Sequence, residues 1–196
     1  MYSVLDQKLF DAYNELKCEP IIAIIEPNMY TGKFDWAKCV RPTGARNYVK
    51  EILHNVVCVH AEVCRIGEEF VSRVMVRLVE AICEEVNRLY CCIQRMNSNG
   101  CVQAWVDIKC IEASLKPYIN KTSAGFIGKE NNISISQPFD KYKSIFNYHI
   151  FFVFSAEARK PLLVLEKDKD IELVESCLSE FCSNMKRHLL CLQNKS

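Results

Sequence analysis

Between residues 49 and 66 the chain places Val49, Ile52, Val56, Val59, Val63 and Ile66 at alternating spacings of three and four, the period of an amphipathic α-helix. Thr43 stands ahead of this stripe as a candidate N-cap, and Gly67 is expected to end the helix. A stronger pattern runs from Glu68 to Met96. Val71, Met75, Leu78, Ile82, Val86, Leu89, Ile93 and Met96 share one face, and Arg73, Arg77, Glu80, Glu84 and Arg88 the opposite one. Glu84 and Arg88 have the i,i+4 spacing of a helix-stabilising pair. A helix of that length spans about 40 Å. Asn97-Ser98-Asn99-Gly100 breaks it.

Two further stripes follow. Ala104, Trp105, Ile108, Ile111, Leu115 and Ile119 predict one helix, and Ile171, Val174, Leu178, Phe181, Met185, Leu189 and Leu192 predict a last one over 168–193. At the other end a short helix is expected from Val4 to Leu16. An irregular connection should then run from Cys18 to Pro42, because Pro20, Pro27, Pro42 and the turn-like Tyr30-Thr31-Gly32-Lys33 interrupt it. Single apolar stripes joined by short links imply antiparallel neighbours, so the fold class is all-α, an antiparallel helical bundle. The long helix at its centre is expected to bury Leu78, Ile82 and Leu89 against the 49–66 and 101–119 helices. The whole chain, 1–196, reads as a single helical-bundle domain.

Composition narrows the function more than the fold. The 196 residues carry 25 basic and 24 acidic groups, a net charge of +1, which gives no footprint for the phosphates of a nucleic acid. The longest largely apolar stretch, Ile145 to Phe154, is far short of the roughly 20 residues of a membrane span. The first eight residues show neither a basic nor an apolar leader region, so the chain is expected to stay in a reducing compartment with its twelve cysteines as free thiols. The sequons at Asn120 and Asn132 are then chance matches.

Catalytic chemistry needs a nucleophile or metal supported by neighbours. The chain has no Gly-rich phosphate loop, G-x-S-x-G, H-E-x-x-H or C-x-x-C. His54, Cys58, His60 and Cys64 form the best metal candidate, as two i,i+4 pairs. At about 100° per residue the second pair is rotated roughly 120° from the first, so one straight helix cannot close a tetrahedron with all four. Cys91 and Cys92 face different directions and read as packing residues. The pairs Glu68-Glu69 and Glu84-Glu85 read as solvated helix faces. Trp105 sits on an apolar stripe and reads as core, whereas Trp36, in the connection, either packs down on the bundle or meets a partner. No catalytic, cofactor-binding or metal residue is therefore assigned, no cofactor is expected, and the partner-binding residues stay open.

Several ordered motifs nevertheless resemble one family. Glu26-Pro27-Asn28-Met29-Tyr30, Phe34-Asp35-Trp36, Cys39, Pro42-Thr43-Gly44 and Arg46-Asn47-Tyr48 are similar to the pattern of exocyst subunit 2, in its C-terminal helical region. The pattern continues through Val59-His60-Ala61-Glu62-Val63, Arg73-Val74, Val79-Glu80-Ala81, Glu84-Glu85, Asn99-Gly100, Gln103-Ala104 and Asp107-Ile108. The match is strongest from Glu26 to Tyr118, weaker from Glu157 to Gln193, and vague before Cys18. The resemblance implies a non-catalytic part of a vesicle-tethering complex that docks secretory vesicles at the plasma membrane, in exocytosis and Golgi-to-plasma-membrane transport. It implies a rod of tandem helical bundles, other exocyst subunits as partners, and a cytoplasmic place peripheral to plasma membrane and vesicles. The family's small-GTPase-binding domain lies at the far end of a much longer protein and is not expected here, so this chain reads as a fragment. Two readings from other classes are an unrelated cytosolic helical adaptor and a thiol- or zinc-dependent protein.

Residues 129–155 depart from everything around them. They contain no Leu, Ala, Gly, Arg or Cys and are rich in Lys, Asn, Ile, Phe and Tyr, whose codons are A/T-rich. Ile150-Phe151-Phe152-Val153-Phe154 reads by pattern as a strand or buried apolar run. The family pattern passes directly from about Phe126-Ile127 to about Glu157-Ala158. Gly128-Lys129 can be encoded with a GT donor, and Phe151 to Ala156 with a pyrimidine tract followed by an AG acceptor. Excision between those points keeps the reading frame and leaves an alanine codon. The segment is therefore expected to be translated intron, an atypical insert never selected to fit the bundle; a lineage-specific surface loop is the alternative. Sequencing the mature transcript checks this: messages lacking these codons are expected, and codons present in every message with no GT and AG in the gene would refute it.

Overall fold

The computed structural model of the chain describes residues 2–120, 123 and 167–193. The insert at 129–155, with its Ile150–Phe154 run, lies outside the described residues. Six α-helices are described: α1 (Tyr2–Met29), α2 (Asn47–Ile66), α3 (Glu68–Cys91), α4 (Ser98–Leu115), α5 (Lys167–Asn184) and α6 (Lys186–Gln193). Short 3-10 turns lie at Trp36–Lys38 and Lys116–Tyr118. The fold is all-α, and the buried side chains of α1 to α6 form one continuous cluster.

The stripes of α2 and α3 face each other as their spacing requires. Val49, Ile52, Val56, Val59 and Val63 are buried, as are Met75, Leu78, Ile82, Val86 and Leu89, whereas Ile66 at the tip is exposed. Gly67 ends α2, its N–H capping the Val63 carbonyl at 3.0 Å, and the chain reverses into an antiparallel hairpin. Contacts of Gln7 with Arg73 and of Glu26 with Arg88 show α1 running in the same direction as α3. Lys17 meets Glu62 at 2.6 Å, so α1 is antiparallel to α2.

Several expectations need correction. The short first helix is in fact 28 residues long and passes through Pro20 and Pro27. Each proline removes one N–H and clashes with the carbonyl four residues back. Both stand on the solvent side, where the freed carbonyls of Leu16 and Ala23 can tilt toward water. Thr43 is not the N-cap of α2; Arg46 is, in extended conformation and without a side-chain cap. The third helix stops at Cys91, not Met96. The Cys92 N–H turns back on the Arg88 and Leu89 carbonyls, yet Ile93 and Met96 remain buried in the following turn. Arg88 pairs with Glu85 at 2.7 Å and Glu26 at 3.2 Å, not with Glu84. The predicted last helix is two, separated at Met185. The central element is α2, which packs on α1, α3, α4 and α6, while α3 rests mainly on α1 and α2 and α4 on α2 and α5. Ile119 lies beyond α4 and is only partly buried.

Leu78 is fully buried at the middle of α3. Leu78→Ala removes that volume from a packed core, and a loss of about 2–5 kcal/mol in chemical denaturation is expected; a negligible loss would contradict this packing.

Candidate functional site

Part of the motif set, from Phe34 to Tyr48 and from Gly100 to Asp107, meets in one place, the connection between α1 and α2 and its seat on α4. The connection begins as expected with a turn at Tyr30-Thr31-Gly32-Lys33, where Gly32 and Lys33 both take positive φ, 74° and 58°. The Asp35 carboxylate then accepts from the Ala37 N–H at 2.9 Å, closing the 3-10 turn that holds Trp36. Trp36 is 3% exposed, so the connection's tryptophan packs down on the bundle. Its ring meets Phe34 at 4.9 Å and Tyr90 at 5.6 Å between centroids, both edge-on, the arrangement aromatic quadrupoles favour.

Asn97 fastens this loop to the start of α4. Its N–H donates to the Trp36 carbonyl at 3.1 Å and its side-chain amide to the Cys39 carbonyl at 2.8 Å. Its Oδ1 caps α4 by accepting from the Gly100 N–H at 2.7 Å. Gly100 is required by close approach, since a Cβ there would stand 2.5 Å from the Trp36 carbonyl oxygen.

Asp107, fully buried about two turns further along α4, holds the far end. Its Oδ1 accepts from the Arg46 N–H and from the Gln103 side-chain amide, both at 2.9 Å, and Gln103 also donates to the Gly44 carbonyl at 3.0 Å. The Arg46 guanidinium donates to the Met29 carbonyl at 2.5 Å and stacks 3.3 Å from the Phe34 ring centroid. One residue therefore caps the end of α1, carries a cation–π contact and supplies the backbone donor for Asp107. Arg41 extends the clamp to α5 through Asp170 at 3.2 Å.

Burial pushes the Asp107 carboxyl up to about 7, although the Arg46 N–H and Gln103 amide both favour its ionised form. Oδ2 is buried without a hydrogen-bond partner. The nearby Tyr48 hydroxyl also favours the ionised form of Asp107 and shares a hydrogen bond with Tyr90, oxygen to oxygen at 2.7 Å, in which either can donate. Burial raises both phenols well above the usual tyrosine range, which leaves them neutral at physiological pH.

The other sequence candidates do not converge. His54 Nε2 lies 3.9 Å from the Cys58 sulfur and His60 Nδ1 3.7 Å from that of Cys64, but His54 and Cys58 are exposed while His60 is buried beside Tyr118. Among the described residues no three His, Cys, Asp or Glu side chains are placed to share a metal ion. None of the twelve cysteines is in a disulfide. Burial raises the Cys83 and Cys101 thiols to about 12, which makes them packing groups and not nucleophiles. Trp105 is half-buried against the core, its indole N–H without a partner. Sequence reasoning quoted Arg46, Tyr48, Gln103 and Asp107 as motif residues without seeing their joint role. The available signal was a pair of polar residues, Gln103 and Asp107, four apart within the inward part of a helix.

Asp107 sets a pH dependence whose sign follows from its direction. An ordinary carboxyl near 3.9 in the unfolded chain binds its proton less tightly than the folded one at about 7. The folded state holds more protons across that window, so this group's contribution falls as pH rises from about 4 to 7 and stays flat above. The scale is of order 4 kcal/mol. His60, lowered by burial, acts in the opposite sense below about 6.5. Asp107→Asn keeps the Oδ1 acceptor. Relative to the parent, it is expected to gain stability between pH 5 and 8 in denaturant titrations, whereas Asp107→Ala should lose about 2 kcal/mol or more by stranding two buried donors. Equal losses for Asn and Ala at pH 8 would contradict the assignment.

Comparison with known proteins accords with these motifs and extends the match. The family model for exocyst complex component Sec5 covers residues 1–192. The chain is 36% identical over 192 residues to exocyst complex component 2 of Homo sapiens and to that of Mus musculus, covering 98% of this chain and 18% of each relative. The Drosophila melanogaster protein of the same name is 35% identical over 118 residues, 60% of this chain and 13% of that protein. The chain thus spans about a fifth of the length of the curated relatives it matches. The match also reaches residue 1, including the part before Cys18 where the motifs are vague. No solved structure matches. A helical bundle closed by this clamp and matched over almost its whole length places the chain in the Sec5 family of exocyst complex components.

Proposed function

We propose that this chain is a non-catalytic, load-transmitting region of an exocyst subunit, a C-terminal part of a longer protein whose partners are the other exocyst subunits. In this reading it acts in tethering secretory vesicles at the plasma membrane, on the cytoplasmic side and without crossing the membrane itself. No described helix is long and apolar enough to cross a membrane. In this reading the described helices form one bundle of a rod built from several.

The observation that carries the reading is how the family motifs are used. Phe34, Trp36, Arg46, Gly100, Gln103 and Asp107 are engaged with one another or with backbone, and Tyr48 with Tyr90, sealing a connection onto a helix. The cleft left beside that connection, between Thr43-Gly44-Ala45 and Cys177 and Phe181, holds about 170 Å³, and the wider hollow of about 490 Å³ lies away from these motifs, between α1 and α3 at Phe10 and Arg73. Residues spent on rigidity suit an element that transmits force or position between partners.

Deleting residues 1–193 from the parent subunit is expected to remove at least one other exocyst subunit from the purified assembly and to slow secretion. Intact assembly and normal secretion after that deletion would refute the reading.

A further inference from the structure

Helix α1 has two apolar faces. The first, with Ile21, Ile25 and Met29 beside the polar Asn14, is buried in the bundle. The second consists of Leu9, Ala12, Leu16, Pro20, Ala23 and Pro27, all exposed and spaced three, four, four, three and four. At 100° per residue these six fall within about 80° of arc, opposite the buried face. Leu9 is 61% and Leu16 64% exposed, the two largest apolar side chains of the stripe. Ile66, 59% exposed, is a further uncovered apolar side chain at the tip of α2, one turn beyond Glu62, to which Tyr13 of α1 bonds. A helix apolar on both sides is ordinarily covered on both sides.

The flanks say what covers it. Asp11, Glu15 and Glu19 form an exposed row along one edge that Lys8 heads, so the row is acidic by two charges, with Glu26 beyond them held by Arg88. The cations nearest that edge on α3 are engaged: Arg73 stacks on Phe10 at 3.6 Å and donates to Gln7, and Arg77 pairs with Glu80. Pro20 and Pro27 add two acceptors, since neither can donate to the carbonyls of Leu16 and Ala23 on the same exposed face. Apolar seam, acidic edge and free carbonyls together call for a helix with an apolar stripe and Lys or Arg along one side.

We propose that the outer face of α1 is the docking site for a basic-edged amphipathic helix of another subunit of the assembly. The inference rests on the reading of the chain as part of an exocyst subunit and deepens it by naming the partner's chemistry. A second copy packed antiparallel would set acidic row against acidic row, which disfavours that occupant.

Amine-reactive cross-linking of the assembly containing the full-length subunit tests this, because Lys8 and Lys17 border the stripe. Links from both to lysines of one helix in a different subunit are expected. Leu9→Glu/Leu16→Glu should lower recovery of that subunit roughly tenfold. Glu15→Lys/Glu19→Lys should weaken it too and be rescued by exchanging the partner helix's lysines for glutamates. Links only to a second copy or within the same polypeptide, or full recovery of the assembly in both double variants, would overturn the proposal. If deleting the whole region breaks the assembly while these surface variants do not, only the docking site falls; if the deletion also leaves it intact, the functional reading falls with it.

Discussion

The buried carboxylate of Asp107 is the point on which the rest of the bundle depends. A connection that crosses a bundle with only one short 3-10 turn leaves most of its backbone groups to be satisfied by other means. Here Arg46 begins α2 with no side-chain cap of its own, and its N–H is taken by an acid projecting from α4. That bond fixes where α2 starts relative to α4. Because α2 also packs on α1, α3 and α6, fixing α2 positions all of them.

A buried acid is a costly way to make such a joint, since an apolar residue of similar size is often as stabilising or more so. What the acid adds is direction. Leucine at this position would accept packing over a range of loop positions, whereas Oδ1 requires two donors at hydrogen-bond distance. Arg46 turns that requirement into a wider lock: its guanidinium is held between the Met29 carbonyl and the Phe34 ring, so the end of α1, the connection and the start of α2 move together. Tyr48 and Tyr90, paired and neutral, line the same interior without competing for its charge.

The hairpin of α2 and α3 was legible because its spacing is regular and its turn is a glycine. The clamp was not, because it joins residues 61 positions apart and hydrogen bonding across such distances leaves no period in a sequence. Ile93 and Met96 continued the α3 stripe by count but belong to the turn after it. Burial alone cannot mark where a helix stops; the Cys92 N–H does that by turning back on the last carbonyls. The last helix was read through Met185 for the same reason, its apolar residues staying in phase across the break.

The first helix runs on past Pro20 and Pro27 because of the direction in which both prolines face. Proline costs a helix interior one hydrogen bond and displaces one carbonyl wherever it stands, and the cost is smaller where that carbonyl can tilt toward water. In α1 both prolines face outward, and the inward face keeps Ile21, Ile25 and Met29 in register. The helix is held by packing on one side in spite of local preference on the other. Places where local propensity and tertiary structure disagree are where a sequence carries a demand besides folding. On α1 the disagreement falls along one exposed line, the line that also holds Leu9 and Leu16. A surface selected for solubility alone has no reason to place prolines and leucines at helical spacing on its outer face, so that face answers to something outside the bundle.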